Sequence, residues 1–238
     1  MPDERRIDME HSKIMNVLME HSSIVIIAKD FNLSIFKPLW FIKNDIFREE
    51  ELQANILISP PAVQIPSEHF QFTALPDRLQ MLIPKHYSDA EDDIARVLRR
   101  IVRTLPHTPY TAVGLNFNYL IAPETEDRFS AWNRKLFASA LSRKLQSSRD
   151  KNARFGSYVS FDVLETRLKI DIKPIKASAN IKVVYKSWHE GQDLVRLNFN
   201  FHSDVGSTDS PMNSVLDKLG KWSEAFALSQ DLTGMIYE

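Results

Sequence analysis

Cysteine is absent from the 238 residues. Disulfide scaffolds, thiolate-held zinc or iron–sulfur centres and thiol nucleophiles are thereby excluded. Glycine is scarce, with six residues spread singly at 114, 156, 191, 206, 220 and 234. A phosphate-cradling loop needs clustered glycines so that backbone amides can close on an anion without a Cβ in the way. No G-x-G-x-x-G, Walker A loop or G-x-S-x-G elbow is therefore present. Long apolar runs are missing as well. The longest, Ile24 to Ala28 and Leu39 to Ile42, fall far short of the roughly 20 residues a membrane-spanning helix needs. Neither sign of charge dominates: 30 Lys and Arg against 31 Asp and Glu give a net charge of -1. A strongly basic nucleic-acid binder and an acidic tail protein are both disfavoured.

What is present is ordinary globular material, 43% hydrophobic and 26% charged. The start, Met1-Pro2-Asp3-Glu4-Arg5-Arg6, carries charge without an apolar stretch behind it, so a cytoplasmic location is expected. Residues 1–21 read as a flexible or helical leader, with Ile14, Met15 and Leu18 on one helical face. Residues 22–150 read as an N-terminal α+β half and 151–238 as a C-terminal half of four strands and a helix. The two are expected to form one compact unit.

In the first half, Ser23 to Ala28 predicts a buried strand, and Phe31, Leu33 and Ile35 a second one. Leu39, Ile42 and Ile46 follow Pro38 at helical spacing. Asn55 to Ser59 predicts a strand, and the stretches about Pro76-Asp77 a hairpin. Ser88-Asp89-Ala90-Glu91 has the form of a capping box, opening a helix with an apolar stripe through Ile94, Val97, Leu98, Ile101, Val102 and Leu105. Val113 to Ile121 alternates as a strand, and 126–146 predicts a helix.

In the second half, four antiparallel strands are predicted at 155–164, 166–172, 181–188 and 194–201, with a first turn at Glu165-Thr166. Ser210-Pro211 then opens a long helix whose stripe is Val215, Leu219, Trp222 and Phe226, with Gly234 as its stop. The expected fold is thus α+β: largely antiparallel sheet, helices on one face, and a long C-terminal helix. Four strands followed by a helix is similar, in topology alone, to the single unit of export-type holdase chaperones.

Two segments echo each other. Phe72-x-x-Leu75-x-x-Arg78-Leu79-x-Met81-x-Ile83 matches Phe161-x-x-Leu164-x-x-Arg167-Leu168-x-Ile170-x-Ile172. Leu115-Asn116-Phe117-Asn118 repeats as Leu197-Asn198-Phe199-Asn200. The ordered matches suggest two related halves, an internal duplication.

Three sets of residues are candidates for function. Asn116, Asn118, Asn198 and Asn200 project from one face of each LNFN strand, although Asn is a poor strand former. They would line a groove for a peptide or polar ligand, or hold neighbouring strands by amide hydrogen bonds. Asp162, Asp171 and Lys173 have the D-x8-D-x-K spacing with which divalent-metal nucleases hold Mg²⁺ and position water. A solvated strand face of Arg167, Lys169, Asp171 and Lys173 produces the same pattern. The segment 128–154 holds eight basic residues, including Arg128, Arg134, Lys135, Arg143 and Lys144, against one acid. It would contact phosphates, or be a solvated helix and linker.

The seven histidines show no paired spacing, so no metal and no cofactor is expected. The leading expectation is a non-enzymatic protein-interaction or self-assembling protein, with a homodimer or a protein partner. The alternatives are a metal-dependent nucleic-acid hydrolase and a nucleic-acid-binding module. Trp40, Phe41, Tyr87 and Tyr110 fall outside the assignable stripes and are expected at an apolar association surface.

Overall fold

The computed structural model describes residues 15–52, 56–59, 61–123, 125–136, 154–178 and 190–237. Nine strands form one antiparallel sheet: β1 (Met15–Ala28), β2 (Leu57–Ser59), β3 (Ala62–Pro66), β4 (Gln71–Leu75), β5 (Arg78–Ile83), β6 (Tyr110–Pro123), β7 (Ser157–Val163), β8 (Thr166–Lys176) and β9 (Asp193–Asp204). Their order is β2-β3-β4-β5-β1-β6-β9-β8-β7. The helices are α1 (Pro38–Lys43), α2 (Ala90–Ile94), α3 (Arg100–Thr104), α4 (Glu126–Leu136), α5 (Pro211–Gly220) and α6 (Trp222–Tyr237). A π-turn over Ala95–Arg99 joins α2 to α3. The α+β class, the antiparallel sheet and the C-terminal helix match the sequence reading. Among the described residues no helix is long and apolar enough to cross a membrane.

Strand alternation sends one side of β1, β3, β4, β5, β6, β8 and β9 into a single large core and the other side away from it. Leu115, Phe117, Tyr119 and Ile121 of β6, and Val195, Leu197, Phe199 and Phe201 of β9, face the helices. The stripe Val97, Leu98, Ile101 and Val102 packs on them, as do Phe129 and Trp132 of α4 and Val215, Leu219 and Trp222 of the last two helices. The opposite face carries a small apolar cluster at one end, formed by Leu120, Ala122, Ala177 and Leu194.

Several local expectations are corrected. Residues 15–21 are neither loose nor helical: they belong to β1, which pairs with β6 from Met15 to Ala28. A short Met-rich stretch fits either period, and the long neighbouring strand decides it. A bulge between Met19 and His21 makes Glu20 the extra residue. Residues 31–36 are not a strand. The Asn32 side chain accepts from the Ser34 N–H at 3.1 Å and caps a 3₁₀ turn over Leu33–Ile35. The capping box does not form. Asp89 is the N-cap without a side-chain bond to the helix, and the Ser88 hydroxyl turns to Asp89 instead. The last helix is two helices, broken where Lys221 caps α5, and Gly234 lies inside α6 rather than ending it. Strand β3, with Val63 and Ile65 buried, escaped the sequence reading. The expected strand at 181–188 and the helix beyond Leu136 lie outside the described residues.

The odd aromatics are core. Phe41 is buried and makes edge contacts with Phe47 at 5.3 Å and Phe72 at 6.1 Å. Tyr110 is buried with its hydroxyl donating to the Leu105 carbonyl at 3.1 Å, and burial pushes its pKa up to about 12. Trp40 and Tyr87 pack half-buried against the same cluster.

The two LNFN strands are neighbours at the middle of the sheet. Asn116 stands opposite Asn200 and Asn118 opposite Asn198, antiparallel. The hairpins that echo each other lie on either side of them. However, β1 separates β5 from β6, whereas β8 pairs directly with β9. The two sides are not equivalent, and the arrangement does not establish a duplication. The β6–β9 pairing does place residues of both expected halves in one sheet.

The β7–β8 turn is Leu164-Glu165, one residue earlier than read, with φ of 51° and 54°. Both residues sit in the left-handed region that Asn-Gly occupies in two-residue hairpins. Glu165→Gly is expected to raise stability by about 0.5–1 kcal/mol. Glu165 is 79% exposed and Lys218 keeps Asp217 at 3.5 Å, so the lost pair offsets little of that. A lower urea midpoint would show that the Lys218 contact outweighs the strain.

Candidate functional site

The middle of the sheet face opposite the helices is polar. Its middle row runs Ser23, Asn116, Asn200, Lys169 and Ser160 across β1, β6, β9, β8 and β7. The next row is His21, Asn118, Asn198, Asp171 and Tyr158. The sequence-selected asparagines are thus brought together as two facing pairs. Much of their capacity is spent on each other. Asn200 Nδ2 donates to Asn116 Oδ1 at 2.6 Å, and Asn116 Nδ2 donates to the Ser23 carbonyl at 3.3 Å. Asn118 Nδ2 lies 3.0 Å from His21 Nε2, which accepts as a neutral imidazole. Burial lowers the His21 pKa and Arg196 adds to this, while Glu20 opposes. Glu20 reaches Arg196 at 2.9 Å because the bulge frees it from strict alternation. These contacts are the cross-strand amide bonds that offset the poor strand propensity of Asn. Ser23, His21, Glu20 and Arg196 were not singled out from the sequence. A serine pair and a charge inside an otherwise apolar strand were the available signal.

Asp162 and Asp171 share this face but do not meet. Asp162 stands opposite Arg167, and Asp171 opposite Tyr158, four residues away along β7. At about 3.3 Å per residue that separation is roughly 13 Å, too long for one cation to span. Each carboxylate already has a cation: Asp162 accepts from Arg167 at 2.9 Å, and Asp171 pairs with Lys173. Among the described residues no group of three or more metal-ligating side chains converges. Of the basic segment, Arg134 lies on α4, and Arg128 and Lys135 belong to the same helix. Arg143 and Lys144 lie outside the described residues.

A cleft of about 850 Å³ opens between the β7–β8 turn, the end of β9 and the start of α5. Several of its polar groups are paired internally: Asp162 with Arg167, Glu165 and Asp217 with the one Lys218 at 3.1 and 3.5 Å, and Asp204 with the His202 ring at 3.1 Å. It presents four carboxylates, Asp162, Glu165, Asp204 and Asp217, against two lasting cations, Arg167 and Lys218.

The two sheet edges differ. β2 is only three residues long, which blunts it. β7 has seven residues, pairs among the described residues only with β8, and is exposed along most of its length. Tyr158 is 60% exposed, Val159 41% and Phe161 38%. It has no Lys, no Pro and no bulge, the usual protections of an edge.

No protein-family model matches the chain, and no curated protein or solved structure matches it.

Proposed function

We propose that this protein works by association rather than catalysis, and that its first partner is a second copy of itself. The observation that carries this reading is β7, a long unprotected edge with exposed apolar side chains. Such a strand offers a row of unpaired N–H and C=O groups to another strand. The net charge of -1 puts little long-range repulsion in the way. The Asn-lined face fits the same reading, as a rigid, internally bonded platform that fixes the central strands and so the edge.

Light scattering over a range of concentrations tests it. The expected result is a mass rising to twice 27.5 kDa with concentration. A mass fixed at that of one chain throughout overturns the proposal.

A further inference from the structure

We infer that two copies of the chain join through β7, antiparallel, about a two-fold axis at Ser160. This rests on the association reading above and names its interface.

The geometry follows from the hairpin. A two-residue turn at Leu164-Glu165 makes Val163 and Thr166 a hydrogen-bonded pair. Alternation then turns the backbone groups of Val163, Phe161, Val159 and Ser157 toward β8. It leaves those of Tyr158, Ser160 and Asp162 pointing out of the sheet. Ser160 is the midpoint of Ser157–Val163. A two-fold axis there pairs every outward residue: Ser160 with the partner's Ser160, and Tyr158 with the partner's Asp162, twice. Each pair exchanges two backbone hydrogen bonds.

The side chains are self-complementary in this register and in no adjacent one. On the helix-side face, exposed Val159 meets the partner's Phe161, and Ser157 meets the partner's Val163. On the polar face, the Tyr158 phenol donates to the partner's Asp162 carboxylate, so neither acid faces the other. Two residues off in one direction, Phe161 faces the partner's Ser157. Two residues off in the other, Tyr158 falls opposite the partner's Leu164, past the turn. The only charge on the strand, Asp162, is already matched by Arg167 on its own chain. The occupant that fits best is therefore the same strand, reversed, and the product is one sheet continuous through both copies.

The cysteine-free sequence allows a direct test. In a hydrogen-bonded antiparallel pair the Cα atoms lie about 5.5 Å apart, within the range a disulfide spans. Ser160→Cys introduces the only thiol, on an exposed side chain. Ser207→Cys, in an exposed turn, is the control. Ser160→Pro removes an N–H that points out of the sheet, so the β7–β8 ladder keeps its bonds.

The expected results are a wild-type dimer by light scattering, a Ser160→Pro monomer, and a reducible cross-linked dimer from Ser160→Cys formed at least about tenfold faster than from Ser207→Cys. Wild-type protein that dimerises while Ser160→Pro also dimerises and Cys at 160 links no faster than the control overturns the interface and leaves association standing. A dimer that Ser160→Pro abolishes but Cys at 160 does not bridge overturns the Ser160-centred register. A wild-type monomer at all concentrations defeats the association reading itself. Should Ser160→Pro not fold by circular dichroism, the cross-linking rate alone decides.

Discussion

Trp222→Ala is expected to lower unfolding stability by about 3–5 kcal/mol, the largest effect of any single truncation considered. Trp222 is 1% exposed and opens α6 directly beneath the middle of the sheet. Its ring lies 4.6 Å from that of Phe117, which in turn meets Phe201 at 5.9 Å and Phe226 at 5.7 Å. Phe117 and Phe201 belong to the paired central strands, so the indole fills the space where β6, β9 and the last helix converge. Truncation to Ala removes the transfer energy of a large side chain and leaves a cavity. The sheet above cannot collapse into it without breaking register. Urea melts read the change. A difference under about 0.5 kcal/mol would be a surface-type value and would mean that the α6 stripe does not carry the core.

The same stripe shows which parts of this molecule were legible in the sequence. Val215, Leu219 and Trp222 at helical spacing, and the alternation in β6 and β9, report long amphipathic elements on one dominant core. Their period survives because every inward position touches that core. Legibility fails where a local competitor decides. At residues 31–36 a single Asn side chain caps a turn that alternation would have made a strand. At residues 15–21 the pairing with β6 overrides a plausible helical face. At Ser88 the hydroxyl bonds the neighbouring carboxylate, and the capping box is lost.

The candidate site follows the same pattern. The four asparagines meet because β6 and β9 are long, regular and adjacent, although sequence alone did not show that they would face one another. The Asp162 and Asp171 pair depended on a turn position. The turn falls at Leu164-Glu165, two non-glycine residues with positive φ, which no turn signature announces. Register then sends Asp162 to Arg167 and Asp171 toward Lys173. The exposed edge was invisible for a different reason. Which strand ends a sheet is a property of strand order, and β1 entering between β5 and β6 leaves no trace in local composition.

The second large effect is expected from Arg154→Met, a loss of about 2–4 kcal/mol at neutral pH. Asp193 is 5% exposed at the start of β9, and its carboxylate is held from two sides. Arg154, 16% exposed, reaches it at 2.8 Å, and Lys176 reaches the other oxygen at 2.7 Å. The guanidinium also lies 5.0 Å from the centre of the Phe129 ring, which ties the entry of β7 to α4. Met keeps much of the packing volume and removes the charge, leaving a buried carboxylate with one exposed lysine for a partner.

Burial by itself raises the Asp193 pKa. The hydrogen bonds from Lys176 and Arg154 outweigh it and hold the group below the ordinary aspartate value. A carboxylate with a depressed folded pKa contributes stability above its unfolded pKa of about 3.9, and that contribution disappears as pH falls through the folded value. The penalty of Arg154→Met is therefore expected to be full near pH 7 and to shrink below about pH 4, where protonated Asp193 no longer needs the cation. Paired urea melts of wild type and variant at pH 7 and pH 3 measure this directly. An equal difference at both values would assign the role of Arg154 to its packing on Phe129 rather than to its charge.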